Sequence, residues 1–117
     1  MRVRIILAAA LTVAACGGSD KGLVQPAPTN KSVDVFTLNT AFSPTTVQLN
    51  LGDTVRYNIV KASNGEGHDV TFDAKAGAPA NIPVTLNATI SRVFNTRGTF
   101  HYNCFVHPGM SGDVVVQ

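Results

Sequence analysis

Three side chains suited to soft metals stand within seven residues of one another near the end of the chain: Cys104, His107 and Met110, in the run HYNCFVHPGMSGDVVV. The whole sequence contains only two cysteines, three histidines and two methionines. One of each at C-x2-H-x2-M spacing is therefore a concentration of thiolate, imidazole and thioether donors. Three chemistries are open to Cys104. A free buried cysteine behaves as a small hydrophobe. A nucleophile needs a base and an oxyanion hole, and nothing around Cys104 in the sequence resembles either. A metal thiolate needs partner donors, and His107 and Met110 stand on the loop that follows it.

The donor types narrow the choice of metal. Structural zinc takes four Cys, His or carboxylate ligands, and a thioether suits it poorly. Attachment of a c-type haem requires C-x-x-C-H, which is absent. One Cys and two His in a plane, with Met as a weak axial donor, form the blue-copper set. The loop lacks one imidazole of that set. In Phe100-His101-Tyr102-Asn103-Cys104 the residues at 100, 102 and 104 share one face of a strand. Phe100 and Tyr102 are core-like, so Cys104 points inward and His101 points to solvent. The remaining histidine, His68, lies in NGEGHDVTFD, where a glycine-rich turn enters a strand. A lone histidine in a turn is ordinarily solvated; a loop lacking one imidazole favours the ligand reading. The expected metal set is His68, Cys104, His107 and Met110, around one copper.

These donors need a frame, and the sequence implies an all-β one. Short runs of alternating apolar and polar residues recur at Val33–Leu38, Val47–Leu49, Val55–Ile59, Val70–Phe72, Ile90–Phe94, Phe100–Cys104 and Val114–Val116. Period-two patterning with β-branched and aromatic residues marks half-buried strands. Turn residues separate them at Ser43-Pro44, Gly52-Asp53, Asn64-Gly65 and Arg97-Gly98. No window supports a helix; Lys75 to Ile82 is broken by Gly77 and Pro79 and allows at most one turn. Seven or eight strands at this spacing predict a two-sheet antiparallel sandwich.

The first residues have a different character. Arg2 and Arg4 precede an apolar run from Ile5 to Ala15. A spanning helix needs roughly 20 apolar residues, so the run is too short to cross and stay. It has the form of a secretory signal over residues 1–15. Val13-Ala14-Ala15-Cys16 resembles the lipobox of bacterial lipoproteins, which implies lipidation of Cys16; an ordinary signal peptidase site would satisfy the same small-residue pattern. Gly17 follows, with no Asp to imply inner-membrane retention, so the resemblance points to the periplasmic face of the outer membrane. Residues 16–31 read as a flexible tether rich in Gly, Pro and Asn, and residues 32–117 as the folded domain. Nine basic residues stand against seven acidic ones, but Arg2 and Arg4 belong to the leading segment and the remainder is near neutral. No basic stripe for nucleic acid is present. With Cys16 lipidated, Cys104 has no intramolecular cysteine partner in an oxidising compartment, which again suggests that something occupies it.

From Val33 to Gln117 the sequence resembles the cupredoxins, the small blue copper proteins. FSPTTVQLNLGDTVRY is similar to the family's early hairpin, GHDVTF to its first-histidine strand and RGTFHYNCFVHPGMSGDVVV to its copper loop and last strand. The resemblance implies a Greek-key sandwich and a type 1 copper that exchanges one electron. It also implies that His107 has its ring edge near the surface, as the port to a redox partner such as a cytochrome or a copper enzyme. A monomeric carrier anchored in the cell envelope and without catalytic residues is the expectation; storage or delivery of copper is the alternative that the same ligands allow. Two positions depart from the family pattern. Tyr57 stands where many relatives have Trp, and Asp69 follows the first histidine where many have Asn. An ionised Asp accepts hydrogen bonds without donating any, and its charge near copper is expected to lower the reduction potential.

Overall fold

The structure, a computed structural model, describes residues 30–117. The signal segment, Cys16 and nearly all of the tether lie outside the described residues. Nine strands follow in order: β1 (Ser32–Thr37), β2 (Phe42–Ser43), β3 (Thr46–Leu49), β4 (Thr54–Val60), β5 (His68–Phe72), β6 (Ile82–Thr85), β7 (Asn87–Val93), β8 (Gly98–Cys104) and β9 (Met110–Val116). They form a four-stranded sheet in the order β2-β1-β4-β7 and a five-stranded sheet in the order β3-β9-β8-β5-β6. The expected all-β two-sheet sandwich is present, without a helix among the described residues.

The strand inventory and the pairing are richer than the alternation alone implied. β2 has only two residues, too few to show a period. β6 begins where the stretch read as a broken turn ends, at Ile82, and runs through residues to which the alternation assigned no strand. It carries Pro83, which has no N–H to give to a ladder, and it lies at the edge of its sheet, where that loss is tolerated. Pairing is mixed rather than antiparallel throughout: β1 runs parallel to β4, and β3 parallel to β9. Parallel neighbours cannot be joined by a tight hairpin. The chain accordingly leaves the first sheet after β2, crosses the cis Ser43-Pro44 peptide bond and enters the second sheet as β3.

Inner faces meet in a core that includes Val35, Leu49, Val55, Ile59, Val70 and Val114, with an aromatic group at its centre. Tyr57 and Tyr102 pack edge to face with centroids 5.5 Å apart, and Phe42 stands edge-on to Tyr102 at 4.9 Å. Edge-to-face pairs add about 0.5–1.5 kcal/mol each beyond the area they bury. Tyr57, at the position where many relatives carry Trp, is fully buried. Tyr102 pairs across the β8–β9 ladder with Gly112, and its ring and hydroxyl occupy the space that a Cβ on Gly112 would need.

The ladders also define two poles. Cys104 and Met110 close the β8–β9 hairpin at one end, and Gly98 pairs with Val116 at the other. Seven residues of strand separate those ends by about 20 Å at ~3.3 Å per residue. The chain enters the domain at the Gly98 pole. There the buried carboxylate of Asp53 accepts the N–H groups of Lys31 at 2.8 Å and Asn50 at 3.0 Å, and Lys31 accepts the N–H of Thr54.

Candidate metal centre

The four predicted donors arrive at the other pole from three neighbouring strands and the loop between two of them. Cys104 is the last residue of β8 and Met110 the first of β9, and the two are directly paired. Paired residues of an antiparallel ladder project to the same face, and both side chains are buried. The hairpin between them is closed by the Met110 N–H donating to the His107 carbonyl at 3.0 Å. Pro108 and Gly109 occupy the central positions of that turn. Pro at the first and a residue of positive φ at the second is the type II arrangement, and Gly109 has φ +85°.

His68 opens β5, the strand next to β8. Gly67 before it lies so close to β6 that an added Cβ would meet the Thr85 carbonyl oxygen at 2.6 Å, so only glycine allows this approach. His68 is fully buried.

Its Nδ1 lies 3.9 Å from the Cys104 sulfur, and the Nδ1 of His107 lies 3.7 Å from the same sulfur. One donor atom from each of the three residues can be chosen so that all lie within 4.8 Å of one another. Two donors about 2.0–2.3 Å from a shared ion, about 120° apart, are separated by roughly 3.7 Å. The spacing therefore fits a single trigonal ion. Burial holds the His68 pKa below its ordinary value, and the nearby His107 charge adds to this; the neutral imidazole is the ligating form. Burial raises the Cys104 thiol above its ordinary pKa, against the backbone amides of Asp69 and His107, which pull the other way. A cation at the centre would reverse that shift, because a coordinated thiol is deprotonated. Thiolate, two imidazoles and an adjacent buried thioether are together the donor set of type 1 copper.

His101 is outward-facing, as the alternation implied, and its Nδ1 meets Asp113 Oδ1 at 2.8 Å on the exposed face. Asp69 is buried beside the donors. Its Oδ1 accepts the backbone N–H groups of Phe105 at 2.8 Å and Val106 at 3.3 Å, and its Oδ2 accepts the Thr71 hydroxyl at 2.7 Å. His107 is more enclosed than the resemblance implied, at 8% exposure. The carboxylate of Glu66 lies over its outer edge, with Oε2 3.2 Å from Nε2. Glu66 is the site residue that reading the sequence passed over. Its place two positions before His68 carries no spacing signal, and the contact arises only when two distant loops meet.

No protein-family model matches the chain. It is similar to amicyanin-alpha of Methylorubrum extorquens, with 32% identity over 114 residues covering 95% of this chain and 92% of the relative. Among solved structures it resembles pseudoazurin from Methylobacterium extorquens AM1, at 27% identity and a TM-score of 0.59, covering 74% of this chain and 75% of that one. It also resembles the reduced Cu(I) form at pH 4 of an amicyanin variant with a proline-to-glycine substitution, at 28% identity and a TM-score of 0.61, covering 74% of this chain and 82% of that one. With the sandwich, the converging donors and a relative of this identity across nearly the full length of both sequences, the chain belongs to the cupredoxins.

Proposed function

We propose that the protein is a one-electron carrier of the cell envelope, holding one type 1 copper between His68, Cys104 and His107 with Met110 as the weak axial donor. The observation that carries this reading is the convergence of three buried donors on one point, two from paired neighbouring strands and one from the short loop that joins β8 to β9. A copper ion there would supply a one-electron couple between Cu(I) and Cu(II).

The polypeptide's part is to keep the donors still. Cys104 and Met110 are locked in register by the β8–β9 ladder, and β5 pairs with β8 to bring His68 alongside. Asp69 on β5 then fastens the loop that carries His107. A frame with one geometry for both oxidation states keeps reorganisation small, which favours fast exchange. Phe105, adjacent to Cys104 and 72% exposed, offers an apolar contact for a redox partner such as a cytochrome or a copper enzyme. The near-neutral charge after residue 15 suits such apolar docking better than long-range steering.

The leading apolar segment with Cys16 supports export and a lipid anchor, with residues 16–31 as the tether and residues 32–117 as the working domain. The pole at which Lys31 enters lies opposite the donors. A chain anchored at Cys16 would thus be tethered at the pole away from its donor end.

The test is a Cu(II) titration of the protein from Gly17 onward, followed in the visible spectrum and by voltammetry. An intense blue band saturating at about one copper, absent in Cys104→Ala, with a reversible potential, is the expected result. Weak or colourless copper binding would end the type 1 reading. Rapid hand-over of copper to a chelator with slow self-exchange would instead favour copper storage or delivery.

A further inference from the structure

Glu66 is outside the donor set, yet the turn that carries it is built to aim it. The Gly65 N–H donates to the Ala62 carbonyl and the Ala62 N–H to the Glu66 carbonyl, each at 2.8 Å, and Gly65 takes φ +88° to close the turn. Asn64 holds Glu66 at both ends. Its Nδ2 donates to Oε2 at 2.7 Å and its Oδ1 accepts the Glu66 N–H at 3.1 Å. The carboxylate so held puts Oε2 at 3.2 Å from His107 Nε2. That nitrogen is shut off from solvent and has no aligned hydrogen bond, the Glu66 oxygen lying off its N–H axis. Glu66 itself is 53% exposed at its side chain, so the carboxylate stands between the ring and the solvent.

We propose that Glu66 is the positioning residue for His107: it accepts the proton-bearing Nε2 and so keeps Nδ1 turned toward Cys104. The inference rests on reading His107 as a metal ligand. A neutral imidazole has one donor nitrogen and one acceptor nitrogen. An acceptor at Nε2 fixes the tautomer that leaves the Nδ1 lone pair free, which is the usual service of a carboxylate behind a ligating histidine. His107 has particular need of it. His68 begins a strand whose ladder and buried surroundings fix its ring, whereas His107 stands on the short loop between β8 and β9.

Glu66→Ala and Glu66→Gln, made in the full chain, separate the possibilities. Gln retains an acceptor oxygen and Ala does not. Both variants are expected to keep the blue band at about one copper and the unfolding midpoint of the wild type. Release of copper to excess chelator is expected to quicken about tenfold or more in Glu66→Ala, the usual range for losing such a partner, and to stay near the wild type in Glu66→Gln. In the metal-free proteins, ring nitrogen shifts of His107 measured by NMR are expected to report the Nε2–H tautomer in the wild type and a mixture in Glu66→Ala. Identical release and identical ring shifts in wild type and Glu66→Ala would overturn the inference. Absence of a blue band in the wild type would instead defeat the ligand reading; a mixed His107 tautomer in that metal-free wild type would overturn the Glu66 contact as well.

Discussion

Asp69 Oδ1 accepts the backbone N–H of Phe105 at 2.8 Å, joining β5 to the loop that follows β8 across 36 residues of sequence. The same oxygen takes the Val106 N–H, and Oδ2 takes the Thr71 hydroxyl. In every one of these bonds Asp69 is the acceptor. One side chain thereby connects the strand that begins with His68 to the residues immediately after Cys104, at the position where the family pattern favours Asn.

Asp69→Asn is expected to raise the reduction potential of the copper-loaded protein. The amide retains an oxygen for the Phe105 and Val106 N–H groups, and the Thr71 hydroxyl can turn to accept from the new Nδ2. The fold is preserved while a negative charge beside the donors is lost, and that charge favours Cu(II). Protein-film voltammetry checks this, and an unchanged or lower potential would refute it. Asp69→Ala, which leaves the loop N–H groups without an acceptor, is expected to cost about 2–4 kcal/mol in urea unfolding of the metal-free protein.

Gly112→Ala should destabilise the domain by about 1–3 kcal/mol, the usual cost of overpacking. A Cβ at this position overlaps the ring and hydroxyl of Tyr102 directly across the ladder. Removing the ring should relieve the clash, since Cζ and Cε2 crowd the added Cβ as well as the hydroxyl. The double variant Gly112→Ala/Tyr102→Leu is therefore expected to lose less than the sum of the two single variants. Additive losses in chemical denaturation would show that the two residues do not compete for the same space.

His101 and Asp113 should give the domain a small pH-dependent contribution. The hydrogen bond to Asp113, joined by the charges of Asp113 and Asp73, holds the His101 pKa above its ordinary 6.5. A group raised on folding contributes in full below its unfolded value and loses that contribution as pH rises through the folded value. Wild type should therefore exceed Asp113→Asn by most at about pH 5.5, with the gap narrowing by about pH 9. Both side chains are 39% exposed, so solvent screening keeps the effect under about 1 kcal/mol. A gap that widened with rising pH in denaturant titrations would contradict the assignment.

The sequence by itself determined the class of fold and which residues are the candidate donors, because both depend on local rules. Period-two alternation in Phe100–Cys104 is imposed by the backbone, and it placed Cys104 inward and His101 outward without reference to any other strand. Scarcity did the rest: with three histidines in the chain and one facing away, His68 was the imidazole left to complete the loop. The parallel pairing of β1 with β4 and of β3 with β9, the edge strand formed around Pro83, and the fit of Tyr102 over Gly112 were decided by tertiary structure alone. Each depends on which distant segments become neighbours, and no local pattern encodes that. Asp69 lies between the two cases: its capacity to accept N–H groups followed from its chemistry, but the groups it accepts were fixed by packing. Glu66 belongs wholly to the second. A turn closed by Gly65 and Asn64 sets its carboxylate against the ring of His107, 41 residues further along the chain, and only the folded sandwich brings those two loops together.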